Sequence, residues 1–167
     1  YLKSQQIKSS KDALYKYLDY LEDAFFVFKL NKFSLSYKKA EQSLPKVYFI
    51  DNGILTSNTI DDKGRLLENL VFLELLRREN EVSYFQTSQK EEVDFLIKKG
   101  KKINQLIQVC YGFSNFMTKD REIKSLLKAS EEFKCKHLLI LTNSHEENLK
   151  YNGIIIIIKP VWKWLLP

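Results

Sequence analysis

Apolar residues recur along this chain in two distinct periods. From Leu14 they fall at helical spacing, with Leu14, Tyr17, Leu18, Leu21 and Phe25 on one side and Lys16, Asp19, Glu22 and Asp23 mostly on the other. This predicts an amphipathic helix opening at Ser9 or Ser10. At Phe26-Val27-Phe28 the residues turn aromatic and β-branched, so the helix should yield to a strand. Asn31 to Leu44 reads as a lysine-bearing strand and loop with Phe33, Leu35 and Tyr37 alternating. Lys46 to Ile50 (KVYFI) reads as a further strand, followed by a turn at Asp51-Asn52-Gly53. Strands like these can pair as an antiparallel ribbon. The polar stretch Thr56 to Lys63 reads as a boundary.

Gly64 to Glu79 then predicts a largely buried helix, carrying Leu66, Leu67, Leu70, Val71, Leu73, Leu75 and Leu76, with Arg77 and Arg78 suited to its C-terminal end. Val82–Gln86, Val93–Lys98 and Ile103–Tyr111 read as strands, the last two joined by a tight turn in Lys99-Gly100-Lys101-Lys102. Thr118–Phe133 predicts an amphipathic helix, His137–Thr142 a buried strand, Ile154–Ile158 another, and Trp162–Leu166 a short closing helix. A hairpin followed by a helical crossover implies an α/β fold with a mixed sheet and helices on its faces.

Composition narrows the function classes. The 167 residues are 44% hydrophobic and 29% charged, enough for a core and a solvated surface. The net charge of +6 permits contact with nucleic acid without requiring it. The longest apolar run, Ile154 to Ile158, is far short of the ~20 residues that span a bilayer. Two separated cysteines, Cys110 and Cys135, suggest free thiols and a cytoplasmic setting. No GxxxxGK followed by Ser or Thr occurs, so no ATP hydrolysis through a P-loop is expected of this chain. The chain opens on Tyr1 rather than Met, as a fragment would.

Three polar residues stand where the pattern expects apolar ones. Glu68 lies in the early turns of the buried helix, on a stripe with Val71, Phe72 and Leu75. Asp94 lies within EVDFLI; alternation puts Val93, Phe95 and Ile97 on one face and Asp94 with Leu96 on the other. Gln108 interrupts LIQVCY on the face of Leu106 and Cys110. Singly, each has a plain reading: a dipole-favoured helix glutamate, which is the better reading of Glu68 taken alone, a solvent-facing aspartate, and a backbone-bonded glutamine. Together, a helix acid, a second-strand aspartate and a polar residue two before Cys110 have the layout of a PD-(D/E)xK nuclease. There, oxygen ligands hold a Mg²⁺ ion that polarises phosphate and activates water, and a lysine offsets developing charge.

The stretches KVYFIDNG, GRLLENLVFLELLRR, EEVDFLI and LIQVCYGFSN, with KDREIKSLLKA and HLLILT, resemble a prokaryotic, notably archaeal, family of predicted AAA-type ATPases. Its members join a P-loop module and a winged helix to a nuclease-related C-terminal domain of unknown function. The resemblance implies a partial winged-helix region over residues 1–55 and a restriction-endonuclease-like domain over residues 56–167, with the ATPase module before Tyr1. It gives Glu68 and Asp94 the acid positions, Gln108 that of the third ligand, and Cys110 that of the lysine. Lys124, at four residues from Lys128 on the second helix, is where similar nucleases carry a migrated lysine; Arg121 and Glu122 open the same helix. Expected partners are Mg²⁺ and DNA. Gln108 and Cys110 favour a DNA-associated module with cleavage weak or lost. An active Mg²⁺-dependent, resolvase-like endonuclease and a protein-interaction or oligomerisation domain stand as alternatives.

Overall fold

The computed structural model describes residues 11–34, 43–57, 62–87, 91–113 and 115–166. The elements are α1 (Lys11–Asp23), β1 (Val27–Leu30), β2 (Lys46–Phe49), α2 (Asn52–Ser57), α3 (Lys63–Arg77), β3 (Glu81–Gln86), β4 (Glu92–Lys99), β5 (Lys102–Cys110), α4 (Phe116–Phe133), β6 (Leu138–Thr142), β7 (Glu147–Tyr151), β8 (Ile154–Pro160) and α5 (Val161–Leu165). The six-stranded mixed sheet runs β3-β4-β5-β6-β8-β7. β3, β4 and β5 form an antiparallel meander, β5, β6 and β8 are parallel, and β7 returns antiparallel to β8. β1 and β2 pair antiparallel as a separate ribbon, as strands beginning at Phe26–Phe28 and Lys46–Ile50 can.

Two apolar layers hold the sheet. Leu96, Leu106 and Cys110 face α4 and meet Ile123, Leu126 and Ala129. Phe95, Ile97, Ile107 and Leu141 face α3 and meet Val71, Phe72 and Leu75, with Leu30 and Tyr48 of the ribbon joining the same cluster. The ribbon is thereby fastened to the sheet through α3. Asp62 caps α3 by accepting from Arg65 N–H, and Asn115 caps α4 by accepting from Met117 and Thr118 N–H.

Several expectations are revised. Where a turn is expected at Asp51-Asn52-Gly53, a short helix begins at Asn52. Gly53 N–H donates to Asp51 Oδ1 at 2.6 Å, an approach that a Cβ would obstruct. β7 had no apolar pattern to announce it, but Asn152-Gly153, both at positive φ, makes the two-residue turn that pairs it with β8. The α1 stripe is only partly covered: Leu14, Tyr17, Leu21 and Phe25 are exposed. The helix start at Ser9 or Ser10, Leu35 and Tyr37 lie outside the described residues.

Candidate functional site

β2 is delivered to α3 by two side chains of α3. Asn69, buried, accepts from Phe49 N–H at 2.8 Å and donates to Phe49 O and Asn52 Oδ1, fixing the end of β2 to the start of α2. Phe72 stacks on Tyr48, ring centroids 4.1 Å apart, and on Phe95 beyond it. One helical turn before Phe72, Glu68 accepts a 2.6 Å hydrogen bond from Tyr48 Oη. Lys46, two residues before Tyr48 on the same face of β2, is thus aimed at the same carboxylate.

Its ammonium sits at the centre of the site. Lys46 Nζ lies 2.9 Å from Glu68 Oε1, 2.7 Å from Glu92 Oε1 and 3.0 Å from Asp94 Oδ1, and 5.7 Å from the centre of the Tyr84 ring. Burial disfavours the charged lysine, but Asp94, Glu68 and Glu92 outweigh it and raise its pKa. Burial, and next the Glu68 charge, also raise the Tyr48 phenol, which stays a donor. Asp94 is pushed up to about 7, chiefly by burial and then by Glu68, with Lys46 and Val109 N–H opposing.

Asp94 reaches this cluster through a break in the sheet. Ser83 faces Leu96 and Phe85 faces Val93, so Tyr84 stands against two residues of β4, Asp94 and Phe95. This bulge interrupts the expected alternation. Val93 joins Leu96 on the α4 side, whereas Phe95 packs on the α3 side and Asp94 meets Glu68 of α3. Pairing of β4 with β5 ends at Phe95 and Ile107. Beyond that point side chains replace the ladder: Asp94 Oδ2 accepts from Val109 N–H at 2.9 Å, and Gln108 Oε1 accepts from Asp94 N–H at 3.2 Å. Gln108 Nε2 donates to Glu122 Oε2 at 2.5 Å, and the other Glu122 oxygen accepts from Arg121 at 2.6 Å.

A cleft of about 530 Å³ opens over this region, lined by Asp62, Arg65, Glu68, Glu91, Glu92, Asp94, Gln108, Arg121, Glu122 and Ser125 among others. Of the residues singled out in the sequence, Glu68 and Asp94 share the Lys46 ammonium. Gln108 is adjacent, but both ends of its amide are taken within the protein. Arg121 and Glu122 line the same cleft. Lys124 does not: it is exposed and paired with Asp120 at 2.6 Å, outside the lining residues. Lys128 is held by Glu91 at 2.5 Å. Cys110 faces the α4-side core, and burial, with Glu122 next, pushes its thiol up to about 11, so it remains neutral.

Lys46 and Glu92 carry the site and were not singled out in the sequence. Lys46 sits at the first position of an unremarkable strand and Glu92 in an acidic pair before Val93. The available signal for Lys46 was its two-residue spacing from Tyr48, which shares its face. Among the described residues, no group of three or more His, Cys, Asp or Glu side chains is arranged to hold a metal ion. The three carboxylates are drawn around an ammonium instead. Among the described residues, no helix is long and apolar enough to cross a membrane.

Comparison with known proteins places the chain in a family. The chain is 42% identical to the uncharacterized protein MJ1544 of Methanocaldococcus jannaschii over 99% of its length, covering 38% of that relative. It is 31% identical to an uncharacterized protein of Haemophilus influenzae, again over 99% of the chain and covering 40% of the relative. The chain therefore spans about two fifths of the length of these relatives. No solved structure matches. Residues 2–64 match a domain of unknown function, DUF8612. Residues 63–164, which hold α3, the mixed sheet and every cleft residue except Asp62, match a second one, and the chain belongs to that family, the domain of unknown function DUF4143.

Proposed function

We propose that this chain is a nuclease-fold module of an AAA-type ATPase that associates with DNA and has lost efficient cleavage, the centre of its acid cluster being occupied by its own Lys46. The observation that carries this reading is the ammonium held by three carboxylate oxygens at 2.7–3.0 Å. The helix acid, the strand aspartate at a splayed hairpin and the mixed sheet with a helical crossover support a PD-(D/E)xK-like fold. The relatives carry about three fifths of their length outside the matched region, room for an ATPase module.

Glu68, Glu92 and Asp94 carry hard oxygen donors of the kind Mg²⁺ takes, but gathered around Lys46 they do not form a metal-holding group among the described residues. A bound Mg²⁺ would supply phosphate polarisation and an activated water. Lys46 stands at the point those oxygens share, so a cation competes with a tethered ammonium. Gln108, bonded to Asp94 N–H and Glu122, holds the hairpin rather than facing that point.

The test is incubation of supercoiled plasmid and a branched DNA with the protein in Mg²⁺ or Mn²⁺, alongside an equilibrium binding measurement. DNA association without nicking is expected. Metal-dependent nicking that disappears in Asp94→Ala would overturn the loss of cleavage and favour the endonuclease reading. Absence of both nicking and DNA association would favour an interaction domain.

A further inference from the structure

A second cleft, of about 430 Å³, opens at the far end of the β4–β5 hairpin. Its polar lining is Lys99, Lys102, Asn104, Lys134, Lys136 and His137, and no carboxylate lines it. Gln108 is six residues along β5 from Lys102, which puts the lysine cleft ~20 Å from the acid centre. The two clefts are separate in space and opposite in charge.

Two connections bring these lysines together. Lys99 and Lys102 face each other across the turn that Gly100 makes possible at φ 62°. Lys134 ends α4 in the left-handed conformation at φ 53°, and Cys135 N–H closes back on Ser130 O. That reversal sends Lys136 and His137 alongside β5, where His137 O accepts from Leu106 N–H at 3.0 Å. All four lysines are exposed, and among the described residues none makes an ion pair. Lys98, on the same hairpin but outside the cleft, is held by Glu81 at 2.6 Å. Four ammonium groups around one cleft repel one another, and no carboxylate lines it to offset them.

We infer that this lysine cleft, rather than the acid cleft, receives the phosphate backbone of duplex DNA. The inference rests on the DNA association proposed above. Duplex DNA carries one negative charge per ~1.7 Å of axis, so it can engage lysines from both connections at once. The lining has no exposed apolar side chain to enter a bilayer or seat a peptide. The acid cleft, with six carboxylates among its lining residues, repels phosphate.

Fluorescence anisotropy with a labelled duplex of about 20 base pairs tests this over a range of KCl. Four paired variants are compared with the unaltered protein: Lys99→Gln with Lys102→Gln, Lys134→Gln with Lys136→Gln, Lys16→Gln with Lys150→Gln as an exposed control of equal charge change, and Arg65→Ala with Arg121→Ala in the acid cleft. Each lysine-cleft pair should weaken binding roughly 30- to 100-fold near 0.1 M salt and lower the slope of log affinity against log salt by about 2. The control and arginine pairs should change affinity by less than roughly threefold on the same basis. If the arginine pair carries the loss, DNA lies in the acid cleft and only the present inference fails. Equal losses in the cleft pairs and the control would also overturn it. If the unaltered protein binds no DNA but binds phosphatidylserine vesicles, the DNA reading itself fails. Matching circular dichroism melts keep loss of folding separate from loss of contact.

Discussion

Replacing Lys46 by methionine keeps most of the side-chain volume and removes the charge that Glu68, Glu92 and Asp94 surround. Leaving buried charges without their partner costs roughly 3–5 kcal/mol. Here the Lys46 and Glu92 side chains are 21% and 34% exposed, so water screens part of that loss. The expected destabilisation is about 2–3 kcal/mol at pH 8, or roughly 5–10 °C in melting temperature for a chain of this size. The penalty must depend on pH. Lys46 opposes the rise of the Asp94 carboxyl, which already stands at about 7, so its removal moves that carboxyl higher. A carboxyl raised in the folded state contributes stability below its unfolded pKa and loses it as pH rises through the folded value. The difference between the two proteins should therefore shrink as pH falls from 8 to about 5. Thermal melts followed by circular dichroism across that range, with and without Mn²⁺, provide the assay. Mn²⁺ should recover part of the loss in Lys46→Met and little in the unaltered protein, because the freed carboxylates can then share a cation. A melting temperature lowered equally at pH 5 and pH 8 and indifferent to Mn²⁺ would refute the reasoning.

Asp94→Asn removes the titration itself. Relative to the unaltered protein it should gain stability between pH 4 and pH 8, by up to about 4 kcal/mol for a shift of about three pKa units, on top of a pH-independent loss; parallel denaturation curves would contradict this. Phe72→Ala opens the core beneath Tyr48 and should cost about 3–5 kcal/mol in urea denaturation, with increased amide exchange along β2. Gln108→Glu cannot donate to Glu122 and sets two buried carboxylates face to face. A loss of about 3 kcal/mol is expected at pH 8, mostly recovered on adding Glu122→Gln, and a double-mutant cycle with no coupling would count against the pairing.

Much of the architecture was written in short-range pattern. Leu138–Thr142 and Ile154–Ile158 are buried runs, α3 and α4 have helical periodicity, and all became elements close to their expected limits. What escaped was set by particular contacts. The bulge opposite Tyr84 leaves no trace in EVDFLI, which alternates normally, yet it turns Asp94 from the Leu96 side toward Glu68. α3 and α4 end without glycine, at Glu79 and Lys134 in the left-handed conformation, so their stops carried no glycine signal.

The acid centre shows why its polar residues could be found while its charge balance could not. Glu68, Asp94 and Gln108 are conspicuous because each breaks an apolar pattern, and burial of an unpartnered polar group is unfavourable enough to demand an explanation. Their partners need break no pattern. Lys46 enters from a ribbon separate from the main sheet, and it reaches Asp94 because Asn69 fixes β2 to α3, Phe72 stacks on Tyr48, and the backbone after β1 bonds to Tyr84 of β3. The cation beside Asp94, expected from the resemblance two residues after Gln108 or on α4, comes from 48 positions before Asp94. Gln108 then makes physical sense as it stands. With Lys46 balancing Asp94 and its neighbours, a further carboxylate at position 108 would face Glu122 without a cation between them, whereas an amide can accept from Asp94 N–H and donate to Glu122 at once. The amide at position 108 and the lysine supplied from β2 are therefore two halves of one electrostatic arrangement.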